Sequence, residues 1–172
     1  MEKITKLAIF DFDGTLVNTP LPDKGRIEYE KKTGQPWPHK GWWGQPDSLD
    51  TKVFDMPVID SVISDYKTEK TNPNTLTILL TGRIKKLSTY VEKVLKEKGL
   101  SFDEYHYNNG GSTDAFKVKI LDDLIRKYPD VEVEMWEDRL EHVPIFEQWG
   151  KEKALSGEIK DFKINVVFTG HH

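Results

Sequence analysis

Asp11 and Asp13 stand two residues apart at the end of an apolar run, Leu7-Ala8-Ile9-Phe10, and are followed at once by Gly14 and Thr15. Side chains two apart in an extended chain point the same way, so both carboxylates face one pocket while Phe10 and Phe12 turn to the packed side. Like charges this close repel. The ordinary remedies are a shared proton or a hard cation held by oxygen ligands, of which Mg2+ is the first choice. The arrangement recurs further along. Leu76-Thr77-Ile78-Leu79-Leu80 ends in Thr81, Gly82 and Arg83, a hydroxyl, a glycine and a cation; Val131 to Trp136 ends in Glu137-Asp138-Arg139, again acids directly after a strand.

Apolar runs of this length, closed by turn signals, suit strands buried on both faces of a parallel sheet, and open α/β sheets bind their ligands outside the carboxyl ends of such strands. The expected architecture is therefore α/β, a doubly wound, Rossmann-like parallel sheet with helices on both faces. Helices are expected over Gly25 to Thr33, stopped at Gly34, over Pro57 to Tyr66, and over Ile84 to Lys98 with Leu87, Tyr90, Val91, Val94 and Leu95 inward. Phe102 to Tyr107 reads as the third strand and Phe162 to Phe168 as an edge strand. In the helix after Ser112-Thr113, residues Phe116, Ile120, Leu121, Leu124 and Ile125 form an apolar face. At about 100° per residue Lys117 falls near its centre, whereas Lys119 falls opposite, with Arg126. An ammonium on a buried face is costly unless anions surround it, so Lys117 is expected beside the carboxylates, with Asp114 placed to orient it.

These residues resemble the motifs of the haloacid dehalogenase (HAD) superfamily of phosphohydrolases. Asp11-Phe12-Asp13-Gly14-Thr15 looks like the first motif, with Asp11 as nucleophile and Asp13 as general acid and base. Thr81 matches the residue that hydrogen-bonds the transferring phosphoryl group, and Gly82 allows close backbone approach. Lys117 matches the lysine that binds the nucleophile and phosphoryl oxygens. Glu137-Asp138 matches the acidic pair that completes the Mg2+ shell, Asp138 foremost and Glu137 either as a ligand or from behind one. The implied metal set is Asp11, the backbone carbonyl of Asp13, Asp138 and Glu137. Thr81-Gly82-Arg83 is similar to the phosphatase domains of polynucleotide kinase-phosphatases, which implies Arg83 near the substrate phosphate; the plainer reading is a solvated arginine at a helix start. Trp136-Glu137-Asp138-Arg139, with His142 and Phe146, resembles the HAD domains of Swiss Army Knife RNA repair proteins, although His142 itself reads as structural.

Residues 16–57 read as a small cap inserted after the first strand. Trp37, Trp42 and Trp43, three of five tryptophans in the chain, lie there among prolines and glycines with no helical or strand period. Such rings either form the insert's own core or offer flat surfaces to a substrate, and Trp42 and Trp43 are the substrate-binding candidates. The insert carries six basic and six acidic residues. It therefore exerts no net pull on a nucleic-acid strand.

The 172 residues are one domain's worth. A formal charge of −4 does not mark a general nucleic-acid binder, though it leaves room for a local basic groove. The absence of cysteine removes disulfides and thiolate chemistry and agrees with a reducing cytoplasm. No secretory signal or membrane span is visible, so a cytoplasmic protein with no membrane partner is expected. The closing Gly170-His171-His172 is given no chemistry. The function implied by the resemblance is a Mg2+-dependent phosphatase acting through an aspartyl phosphate, with a nucleotide or an RNA or DNA end as its phosphorylated substrate. The alternatives are a small-molecule phosphomonoesterase and a non-catalytic HAD-fold binding or phosphoacceptor module. A receiver-type module would carry its phosphoacceptor Asp after the third strand, where this chain has Asn108-Asn109.

Overall fold

The structure, a computed structural model, describes residues 3–169, so the closing Gly170-His171-His172 lies outside it. Five strands, β1 (Lys6–Phe10), β2 (Thr75–Ile84), β3 (Glu104–Asn108), β4 (Glu132–Glu137) and β5 (Asp161–Val166), form one sheet in the order β3-β2-β1-β4-β5, and every pairing is parallel. The helices are α1 (Pro22–Thr33), α2 (Asp60–Lys70), α3 (Ser88–Glu97), α4 (Thr113–Lys127) and α5 (Val143–Leu155).

Period-two alternation in β1 divides the interior. Ala8 and Phe10 face one core with Val62 and Tyr66 of α2 and Val91, Val94 and Leu95 of α3. Leu7 and Ile9 face the other, with Phe116, Leu121, Leu124 and Ile125 of α4 and Phe146 and Trp149 of α5. Both faces of β1 are thus closed, as its uninterrupted apolar sequence requires. The chain leaves β1 toward β2 and β3, then crosses back to β4 and β5 on the other side. The carboxyl ends of β1 and β4 therefore flank the switch point, where a crevice opens.

Several boundaries differ from the sequence reading for identifiable reasons. Helix α1 begins at Pro22 rather than Gly25, because proline suits the first helical position and its missing N–H would have no partner there. Pro57 to Ile59 are not helical: Asn18 N donates to Pro57 O, Ile59 N donates to Leu16 O, and Val58 bridges Val17, so the pairing outcompetes the helix. Strand β2 runs through Thr81, Gly82 and Arg83 to Ile84, with a register shift against β3 after Leu80. A 3-10 turn over 85–87 precedes α3, and Tyr90, expected inward, is exposed.

Residues 16–57 sit over one core. Trp42, Leu49, Phe54 and Met56 are buried in the same cluster as Phe10 and Phe12.

Candidate active site

Asp11 continues the line of β1, its N–H donating to Trp136 O of β4. This places its carboxylate at the crevice. Asp138 follows β4 immediately, and the Thr15 hydroxyl lies between the two acids, 3.2 Å from Asp11 Oδ2 and 3.4 Å from Asp138 Oδ1. Gly14, at φ 71°, occupies the left-handed region that lets the chain reverse directly after Asp13.

Lys117 lies in the first turns of α4 and is fully buried, whereas Lys119 is exposed. Its Nζ donates to Asp11 Oδ1 at 3.1 Å and to Glu137 Oε1 at 2.7 Å. These anions, not Asp114, orient it; Asp114 interacts with Ser112 instead. Burial disfavours the ammonium, but Asp11 and Glu137 outweigh it and hold the Lys117 pKa above the ordinary lysine value. Burial likewise opposes the Glu137 carboxylate, and Lys117 overcomes it, so Glu137 stays ionised below the usual range. Asp11 is pushed the other way, well above the ordinary carboxyl value, by burial and then by Glu137, with Lys117 only partly offsetting them.

Oxygens of Asp11, Glu137 and Asp138 lie within 4.8 Å of one another, and all three residues are buried. Three carboxylates face one ammonium. That surplus negative charge, together with an all-oxygen donor set, fits a hard divalent cation. Within the trio the roles differ. Both Glu137 oxygens are occupied, Oε1 by Lys117 and Oε2 by the N–H groups of Asp138 and Arg139. Asp11 and Asp138 line the cavity, and Glu137 does not.

The cavity measures about 360 Å³, and its wall includes Asp11, Asp13, Trp43, Arg83, Lys117 and Arg139. Gly44 and the exposed side chains of Trp43 and Ile84 form an apolar side of it. Gly82 is on the wall, and a Cβ there would stand 2.7 Å from Thr113 Cγ2, so glycine is required by the packing of α4. Thr81 is fully buried; its hydroxyl accepts the N–H of Arg83 within the last residues of β2.

Two expectations need correction. Trp42 is buried against Trp37 and Phe54, with ring centroids 4.5 and 5.6 Å away, and has no face to offer a substrate. Trp43, its neighbour, is the exposed ring. Arg83 is buried as well: its Nε and Nη2 fork onto Asp13 while Nη1 donates to Trp43 O and Ser48 Oγ. It is not a solvated arginine: it stands on the cavity wall with most of its donors engaged inside the protein. His142 is buried beside Phe146 at the N-cap of α5, and its Nδ1 has no hydrogen-bond partner among the described residues.

Sequence reasoning quoted Thr15 and Arg139 without giving either a role, and it passed over Thr19 and Ser48. Thr15 lay inside the quoted motif, so its hydroxyl was legible as a partner for the acids. Thr19 and Ser48 act through contacts that no local spacing signals.

A model of the HAD domain family 1 in Swiss Army Knife RNA repair proteins matches residues 32–171. The chain belongs to this family. An uncharacterized protein of Saccharomyces cerevisiae is 25% identical over 174 residues, covering 85% of this chain and 37% of that protein, so the chain spans little more than a third of its relative's length. Two solved structures of a Pnkp1/Rnl/Hen1 complex, the second described as an RNA repair complex, share the fold. The first has a TM-score of 0.62 at 16% identity over 98% of this chain and 47% of that one. The second has 0.58 at 20% over 94% and 43%. A haloacid dehalogenase-like hydrolase of Streptococcus pneumoniae has a TM-score of 0.53 at 13% identity, with 94% of each chain covered. The parallel five-stranded sheet is thus the HAD fold. Among the described residues no helix is long and apolar enough to cross a membrane.

Proposed function

We propose that this HAD domain is a Mg2+-dependent phosphomonoesterase that works through an aspartyl phosphate on Asp11. The observation that carries the reading is the position of Asp11 at the switch point, with Lys117 on one oxygen, Asp138 beside it and Asp13 on the same cavity wall. Asp11 and Asp138 would hold the metal, with the Asp13 carbonyl, and Glu137 would brace Lys117. When bound, Mg2+ supplies charge neutralisation that lets an anionic nucleophile approach an anionic ester.

An Asp11 carboxylate oxygen attacks phosphorus. The bond from phosphorus to the ester oxygen breaks, its electron pair stays on that oxygen, and Asp13 delivers a proton there. In the second step a water oxygen attacks the phosphoryl group and gives a proton to Asp13. The Asp11 carboxylate is released with inorganic phosphate. Lys117 keeps an N–H for a phosphoryl oxygen and steadies the charge that builds on the group, whereas Thr81, fully buried and off the cavity wall, supports the backbone behind it.

The proposed substrate is a terminal phosphate of a nucleic acid. Trp43 and Ile84 give a flat apolar wall beside the carboxylates, and one stacked base is worth about 1–3 kcal/mol. The family's occurrence in RNA repair proteins supports the same choice. A cavity of about 360 Å³ takes a phosphate and one base rather than a strand, which favours a free mononucleotide as the second reading. The test compares kcat/KM for a 3′-phosphorylated oligonucleotide, a 5′-phosphorylated one, the mononucleotides and a sugar phosphate, in wild type and Trp43→Ala. A preference for base-bearing substrates that Trp43→Ala erases supports the proposal; a preferred sugar phosphate rejects it.

A further inference from the structure

One buried side chain joins the 16–57 segment to the second carboxylate. Arg83 is only 3% exposed. One edge of its guanidinium forks onto Asp13, with Nε 2.9 Å from Oδ2 and Nη2 2.8 Å from Oδ1. From the other edge Nη1 donates to Trp43 O and to Ser48 Oγ, each at 2.8 Å. The Trp43 ring lies 5.0 Å from the guanidinium carbon. Ser48 is fully buried and passes its own hydrogen to Gln45 O, while Thr19 donates to Asp13 Oδ1 at 2.7 Å.

Four of the five N–H groups of an arginine are thereby engaged within the protein. An arginine that grips a phosphate instead turns a pair of donors toward it, in the bidentate geometry its rigid fork allows. Because the guanidinium is planar, its two edges move together. Asp13 and the 43–48 segment are therefore joined through one rigid group.

We infer that Arg83 is a positioning residue that locks the Asp13 carboxylate to the 43–48 segment, so that the proton-transferring group and the Trp43 wall form one mechanical unit. The kinetic consequence rests on the phosphatase reading; the mechanical lock does not. If the lock fails, the proton no longer meets the departing oxygen in line with the breaking bond. An ester of a strongly acidic phenol leaves without that proton. An ester of an alcohol does not.

The lock is tested first without turnover, by hydrogen exchange. In wild type the amides of Gln45 and Ser48 are bonded to Trp42 O and Gln45 O. Asp13→Ala, Arg83→Lys and the milder Ser48→Ala should each lower their protection, by about tenfold for the first two, while the amides of β1 and β2 stay protected. Unchanged protection at Gln45 and Ser48 in Asp13→Ala overturns the inference. Kinetics then separate positioning from phosphate binding. In single-turnover measurements of the first step, Arg83→Lys should slow release of the alcohol from an alkyl phosphate roughly 10²-fold, the scale of one general acid, and should change the release of p-nitrophenol from p-nitrophenyl phosphate by less than about threefold, while the second step, where Asp13 takes the proton of water, slows alike for both. Inhibition by inorganic phosphate should be unchanged. Equal losses on both esters with weakened phosphate inhibition would make Arg83 a phosphate ligand and overturn the inference. If wild type turns over neither ester, the phosphatase reading fails, and the exchange data alone decide the lock.

Discussion

The Lys117 ammonium lies 2.7 Å from Glu137 Oε1, and both side chains are closed to solvent. Glu137 in turn accepts two backbone N–H groups of the loop after β4 through its other oxygen. The lysine is thus held by a carboxylate that is itself fixed by main chain. Lys117→Ala should cost at least ~10² in kcat, the scale of one preorganised electrostatic group, and Lys119→Ala should stay near wild type. The opposite ranking, measured as initial rates at saturating substrate, would remove Lys117 from the site.

The same pair makes a metal-linked stability prediction. Lys117→Met leaves Asp11, Glu137 and Asp138 without a cation, so the melting temperature should drop, and added Mg2+ should raise it by more than it raises wild type, because binding to the folded state stabilises by mass action. An identical Mg2+ shift in both proteins would argue against a cation among these acids.

Trp42 and Trp43 should separate stability from function. Trp42 is 3% exposed, and truncation to Ala should cost about 3–5 kcal/mol in denaturant unfolding. Trp43 is 42% exposed but its ring packs on the buried Arg83 guanidinium, so Trp43→Ala should cost only about 1 kcal/mol and act chiefly on substrate preference.

These adjacent rings mark where the sequence stops being legible. Abrupt polar ends of buried strands were readable at Asp11 and Asp138, which the structure brings to one crevice, whereas β2 runs on past Thr81 to Ile84 and leaves Thr81 buried behind the cavity wall. Lys117 was readable because helical periodicity puts a charge where only anions justify it. The sidedness of Trp42 and Trp43 was not readable, since the segment has no period; it is set by Gly25, in another helix, where a Cβ would come 2.1 Å from Trp42 Cη2. The partners of Arg83 were hidden for the same reason. Asp13 and Ser48 lie 70 and 35 residues away along the chain, and no local pattern pairs them.

Gly25→Ala follows directly from that contact. Alanine favours a helix over glycine by about 1 kcal/mol, yet here overpacking against Trp42 should prevail by about 1–3 kcal/mol. A stabilised Gly25→Ala variant, measured by urea unfolding, would show that Trp42 has room to move.

A pH effect is expected away from the site. Lys6 lies 2.6 Å from Glu69 and 2.7 Å from Glu134, tying β1 to α2 and β4. Burial opposes both charges; the acids outweigh it for Lys6 and raise its pKa, while Lys6 and Asn165 outweigh it for Glu134 and lower its pKa. The Lys6 contribution is full below 10.5 and fades as pH rises through its higher folded value. The Glu134 contribution is present above 4.5 and fades as pH falls through its lower folded value. The melting-temperature gap between wild type and Lys6→Met should therefore be widest near neutrality and narrow in acid. A gap that widens in acid would contradict the linkage.

The central claim is that Asp11 is the nucleophile of a metal-dependent phosphatase. Phosphate release from p-nitrophenyl phosphate and from a 3′-phosphorylated oligonucleotide should require Mg2+, vanish in EDTA, and fall to background in Asp11→Asn. The amide can neither attack phosphorus nor supply the charge that holds the metal. Turnover that survives in Asp11→Asn, or that EDTA leaves undiminished, would contradict it.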